Sequence, residues 1–161
     1  MAGNEIDVYF VAVKALIRDR SKLLITHDIF GDWDIPGGRL RKEDFDAPLE
    51  AILERKLGEE LGDAFVVRIG GPCVFFRHQR VEHGRDGQVA RIFAVGFHVD
   101  YAAGVVKLGG HHDNHLWVDM PSFRPADYFT GGWLRGLNEY LARCSDRQEV
   151  ADSSSLRIDE H

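Results

Sequence analysis

Apolar positions along the chain fall into blocks of two kinds. The first kind is short and rich in β-branched and aromatic residues. VYFVAVKALI (Val8–Ile17) is one such run, and KLLITH (Lys22–His27) follows it across the polar turn RDRS. Runs of this length bounded by turn residues predict strands, here over 5–18 and 22–27. GDWDIPGG (31–38) then supplies turn residues and a short strand end. The same composition returns in AFVVRI, CVFFRHQRV and RIFAVGFHVDY, with HGRDGQ as the hairpin loop between the last two. A further short strand is predicted at VVKL (105–108), and LWVDM (116–120) follows the polar segment GGHHDNH.

The second kind repeats at helical spacing. After a charged loop over 39–47, Leu49, Leu53, Leu57 and Leu61 share one arc when each residue turns by roughly 100°. A helix from Pro48 to Leu61 follows, with Asp46 placed to cap it, Pro48 suited to its first turn and Gly62 as its stop. Trp133, Leu134, Leu137, Tyr140 and Leu141 predict a second helix over 131–143. From Ser145 onward apolar residues nearly vanish, which predicts a mobile tail over 145–161. Mixed strands with one central and one terminal helix predict an α/β sandwich.

Composition narrows the class. With 161 residues, 44% hydrophobic and 29% charged, the chain suits one globular domain with an adequate core. Its net charge of -6 argues against DNA or RNA as the main partner, because phosphate backbones are held by basic faces. Cys73 and Cys144 make no disulfide framework, and no stretch approaches the roughly 20 apolar residues of a membrane span. The start MAGNEIDVYF has no basic, then apolar, leader pattern. A cytoplasmic protein without membrane contact is expected.

One helix carries an anomaly. Lys56 and Glu60 project inside the apolar arc, and Glu59 and Arg55 lie at its edge. A carboxylate on a packed side costs several kcal/mol unless a cation compensates it. That cation is either a bound metal ion or Lys56, one turn before Glu60. Gly37 and Gly38 precede the helix. Paired glycines either let the backbone approach an anion or offer a carbonyl to a metal, or they form a simple turn. The cluster His111-His112-Asp113-Asn114-His115 reads as a polar turn, a zinc site or the seat of a general base.

The segment from Pro36 to Gly62 resembles the Nudix box, G-x5-E-x7-R-E-U-x-E-E-x-G-U with U aliphatic. Gly38, Arg55, Leu57, Glu59, Glu60 and Gly62 fit in register. Lys56 replaces a glutamate that usually binds metal, Asp63 replaces an aliphatic residue, and the stretch from Gly38 to Arg55 is three residues longer than the pattern. Asp44 has the early glutamate's spacing from Gly38, with Glu43 beside it. Within the superfamily, GDW-x-x-PGGR at Gly31–Arg39, ER-x4-EL-G at Glu54–Gly62 and H-D-x-x-x-W at His112–Trp117 are similar to the GDP-mannose mannosyl hydrolases.

The resemblance implies an α/β/α sandwich with a mixed curved sheet, as one Nudix domain over 1–144. It implies Mg2+, or Mn2+ in its place, on Gly37, Glu59 and Glu60. It implies His112 as general base, and Arg39 and Arg55 as the groups that meet the departing diphosphate. Apart from the resemblance, Arg77, Arg80 and Arg91 either contact phosphate or line a solvated face, and Arg77 is taken with Arg39 and Arg55 as an expected substrate contact. The expected activity is hydrolysis of a nucleoside diphosphate linked to another moiety, by pyrophosphate or glycosyl C–O cleavage. The alternative is a catalytically weak or inactive module that binds a nucleotide derivative as sensor or regulator. Family members are often dimers, so a homodimer is a further expectation.

Overall fold

The computed structural model of the chain describes residues 3–82 and 86–155. Seven strands form one mixed sheet: β1 (Phe10–Asp19), β2 (Lys22–Asp28), β3 (Trp33–Asp34), β4 (Gly37–Arg39), β5 (Val66–Val81), β6 (Val89–Ala103) and β7 (His112–Asp119). The main path runs β3-β2-β1-β6-β5, β4 pairs with β1, and β7 pairs with β2. β1 and β6 are parallel, whereas the other pairs are antiparallel. Helix α1 (Leu49–Leu61) covers one face and α2 (Gly131–Ser155) the other. This is the expected α/β/α sandwich.

β1 is the centre of the sheet, which explains its continuous apolar run. Its alternate residues serve two cores. Val13, Ala15 and Ile17 pack with Ile52, Leu53, Leu57 and Leu61 of α1. Ala12 and Leu16 pack with Trp133, Leu137 and Tyr140 of α2. Each fully buried aliphatic side chain contributes roughly 1.5–3 kcal/mol. By the same alternation Lys14 faces the α2 side, where its side chain is buried.

β1 also forks. It pairs with β2 only at Arg18–Asp19, and with β4 at Ala12–Lys14. The Ala15 N–H donates to the Pro36 carbonyl at 2.8 Å, closing the fork. A cleft opens there.

Several sequence expectations shift. Asp46 does not cap α1: Pro48 is the cap residue and no side chain bonds to the first turn. Gly62 does end α1, at φ 88°, a conformation that glycine adopts without strain. The predicted strand at 105–108 is absent, because its backbone has another task. Lys107 and Gly109 donate to the carbonyls of Leu61 and Glu60, which the helix end leaves without intrahelical partners. β7 starts at His112, so half of the polar segment is strand rather than loop. AFVVRI and CVFFRHQRV form one irregular strand across Gly70 and Gly71. The tail boundary at 145 falls inside a helix, since α2 continues to Ser155. Residues 83–85 of the predicted hairpin loop and 156–161 of the predicted tail lie outside the described residues. No helix among the described residues is long and apolar enough to cross a membrane.

Candidate active site

Gly37 is the pivot of the site. Its φ is 136°, and a Cβ there would lie 2.0 Å from the Val13 carbonyl oxygen, so only glycine fits. Its N–H donates to Glu60 Oε2 at 3.0 Å, which ties the last turn of α1 to β4. Opposite Gly37 in register stands Lys14. The Lys14 ammonium donates to both carboxylate oxygens of Asp34, at 3.0 and 3.2 Å, and to the Ile35 carbonyl at 3.0 Å. It also lies 5.3 Å from the centroid of the Trp133 ring.

Burial pushes the Glu60 carboxyl up to about 7, against the opposing pull of Lys14 and of the Gly37 N–H. Near neutral pH this acid is therefore poised between its two protonation states. Glu59, its neighbour in sequence, behaves otherwise. It is exposed and faces Arg41 at 3.5 Å and Arg55 at 3.7 Å. Arg55 is also held by Asp44 through two bonds of 2.6 and 3.0 Å. The Arg55 guanidinium and the Arg41 N–H hold the buried Asp44 carboxyl well below the usual range. The residue with the early box glutamate's spacing thus clamps the loop onto α1.

Lys56 is buried along Gly38, where an added Cβ would meet its Cδ at 3.1 Å. Desolvation lowers its pKa. Among the described residues it forms no ion pair with Glu60.

A cleft of about 320 Å³ opens at the fork, lined by Lys14, Asp34, Gly37, Gly38, Arg39, Arg80 and Trp133 among others. A second hollow of about 250 Å³ shares Asp34, Arg80 and Trp133 with it and adds Asp28, Trp33, His78 and Tyr128. Trp33 meets Tyr128 edge-on at 5.3 Å. His78 stacks on Trp133 at 4.9 Å and accepts the Gly132 N–H at Nδ1, which leaves Nε2 as its N–H donor.

Two buried polar atoms of this region, Arg80 Nε and His112 Nδ1, have no hydrogen-bond partner among the described residues. Buried polar atoms are usually paired, so each is a place where a ligand can complete the structure. Burial lowers the His112 pKa, against the fields of Asp34 and Asp28, so its imidazole is neutral at physiological pH.

The expected site residues divide accordingly. Gly37, Glu60 and Arg39 meet at the cleft, and His112 stands opposite Asp28 of the second hollow in strand register. Arg39 stacks over Phe10 at 4.7 Å and pairs with Glu82. Arg55 and Glu59 belong to the ion-pair cluster on the α1 side. Arg77 is exposed on the opposite face of β5 from Phe76, His78 and Arg80. Strand alternation counted from buried Phe76 separates Arg80 from Arg77. Lys14 and Asp34 were not singled out by sequence, although a lone lysine inside an apolar run was a usable signal.

The implied metal does not fit the donors present. Glu60 is the one box carboxylate turned to Gly37, Glu59 is turned to arginines, and ammonium groups flank the site. Among the described residues no three His, Cys, Asp or Glu side chains gather as a metal site. Glu60 alone would leave such an ion to draw nearly all its oxygens from water or from a bound phosphate.

No family model matches the chain, and no curated protein matches it. Solved structures do. The MutT protein from Methanosarcina mazei Go1 shares 22% identity over 87% of this chain and 95% of its own, with a TM-score of 0.65. An ADP-ribose pyrophosphatase from Streptococcus suis shares 16% over 85% and 92%, with a TM-score of 0.58. A NUDIX hydrolase from Nitrosomonas europaea shares 17% over 84% and 90%, with a TM-score of 0.57. At these identities the likeness shows the architecture: the chain has the Nudix hydrolase fold.

Proposed function

We propose that the protein is a Nudix-type hydrolase of a nucleoside diphosphate linked to a second moiety. The observation that carries this reading is the orphaned Arg80 Nε in the Gly37–Gly38 cleft, with a second orphaned atom, His112 Nδ1, at the strand position paired with Asp28. The cleft suits an anion through Lys14, Arg39 and Arg80. The adjoining hollow offers aromatic walls at Trp33, Tyr128 and Trp133 for a planar base, and the carboxylates of Asp28 and Asp34 for hydroxyl groups. One structural neighbour is titled a pyrophosphatase of ADP-ribose, a ligand of this class.

The chemistry assigned to the cleft is attack by water on either the diphosphate or the sugar carbon attached to it. Glu60, with its pKa near 7, takes the proton from that water. Arg80 and Lys14 meet the negative charge that grows on the departing phosphate. No step is routed through a metal ion. His112, the base implied by resemblance, is the other acceptor for the proton. The acid limb of the kcat/KM profile separates the two, lying near 7 for Glu60 and below the ordinary histidine value for His112.

The test is product analysis by phosphorus NMR on ADP-ribose, UDP-glucose and GDP-mannose, in buffers with magnesium and with EDTA. Release of a nucleoside mono- or diphosphate supports the reading. Tight binding without turnover would favour the second reading, a nucleotide-binding sensor or regulatory module. Lys56, in place of a box glutamate, is the observation on that side.

A further inference from the structure

We propose that the Lys14 ammonium is a tethered cation standing in for a divalent metal, so that the cleft holds a diphosphate without one. The inference rests on the functional reading above for its ligand, and on the geometry for its cation. Lys14 Nζ lies among two carboxylate oxygens of Asp34 and the Ile35 carbonyl at 3.0–3.2 Å. Carboxylate and carbonyl oxygens around a single positive centre are the ligand chemistry of a hard cation. The Glu60 carboxyl feels the Lys14 charge as its strongest opposite field, which puts a second acid beside the same centre.

An exposed lysine samples many rotamers, but this one is 5% exposed and issues from the central strand directly opposite Gly37. Its position is therefore as fixed as that of a bound ion. Without its charge, Asp34 and Glu60 would face an incoming diphosphate as a wall of like sign. Lys56 adds a second ammonium along Gly38, on the other side of the glycine strand. Together the two lysines leave the box acid with little capacity for a free divalent ion. They leave phosphate oxygens a site already neutralised, with Arg80 Nε as an unpaired donor.

Two measurements on the full chain decide this. In the first, Mn2+ is titrated against ligand-free protein and followed by electron paramagnetic resonance. Wild type is expected to leave the free-ion spectrum unchanged up to about 1 mM, the weak end of protein sites for hard cations. Lys14→Ala, which frees the oxygen cage, is expected to bind one Mn2+ at least about tenfold more tightly, a 1.4 kcal/mol gain. Tight Mn2+ binding by wild type overturns the proposal, and so does a folded Lys14→Ala without that gain.

In the second, calorimetry with ADP, UDP, GDP and pyrophosphate is run in EDTA and in magnesium. It needs only wild type, so it stands if Lys14→Ala does not fold. Dissociation constants within about threefold of each other, a difference under ~1 kcal/mol, are expected. Binding that requires magnesium overturns the proposal alone. No binding in either buffer overturns both the proposal and the functional reading.

Discussion

On each side of β4 the protein gathers acids and bases, and the two clusters behave in opposite ways. On the α1 side, Asp44 is buried, yet two bonds from Arg55 and one from the Arg41 backbone hold it firmly ionised. Glu59 completes that cluster from solvent. On the cleft side, Glu60 has a single backbone donor at 3.0 Å, and burial pushes its pKa up to about 7. Glu59 and Glu60 are adjacent in sequence, and the resemblance gives both the same role. The structure gives one to a clamp and the other to a cleft. Burial alone does not decide a carboxyl's state: the number and charge of its donors do.

The clamp is expected to be the costlier half to break. Asp44→Ala removes the acceptor of two Arg55 bonds and of the Arg41 N–H, and it is expected to lower the urea midpoint more than Glu60→Gln or Glu59→Gln does. Urea denaturation of these variants and wild type checks it. An unchanged midpoint would mean that the loop closes onto α1 without Asp44.

The cleft half is expected to show itself through pH. Glu60 is an acid with a raised pKa, so between about 4.5 and 7 the folded protein keeps a proton that the unfolded chain releases. Stability is therefore lost as pH rises through that window and stays lost above it. The full shift corresponds to about 3 kcal/mol, at roughly 1.4 kcal/mol per pKa unit. Glu60→Gln retains the acceptor for Gly37 and removes the titration, so its melting temperature is expected to exceed wild type at pH 8 and to converge with it at pH 4.5. Parallel curves for the two proteins would place Glu60 in an ordinary solvated setting.

The smallest effect belongs to Glu59. Its two ion pairs are exposed, and Glu59→Gln is expected to cost under about 1 kcal/mol at any pH. A larger cost would tie Glu59 to the buried clamp rather than to its rim.

Much of the frame was legible in sequence because periodicity reports burial directly. The apolar run of β1 gave a strand, and the leucines of α1 gave its packed face. Gly37 and Glu60 were also visible, one as half of a glycine pair and one as a charge inside an apolar arc. The partners of each charge were not. Asp34 and Lys14 are twenty residues apart, joined by the fork of β1, and no local pattern encodes that meeting. Arg77 illustrates the same limit, since the outward face of β5 appears only once the strand's phase is fixed by Phe76. The tail's low apolar content likewise gave no sign that α2 runs on to Ser155.

If the proposed hydrolysis runs in the cleft, Glu60 and not Glu59 is the box acid that serves it. The most direct measurement is the turnover of one nucleotide-sugar substrate by wild type, Glu59→Gln and Glu60→Gln in parallel at pH 7.5. Glu59→Gln is expected to stay within about twofold of wild type and Glu60→Gln to fall by about 10²–10⁴-fold, the usual contribution of a general base. Equal turnover in the two variants would contradict it.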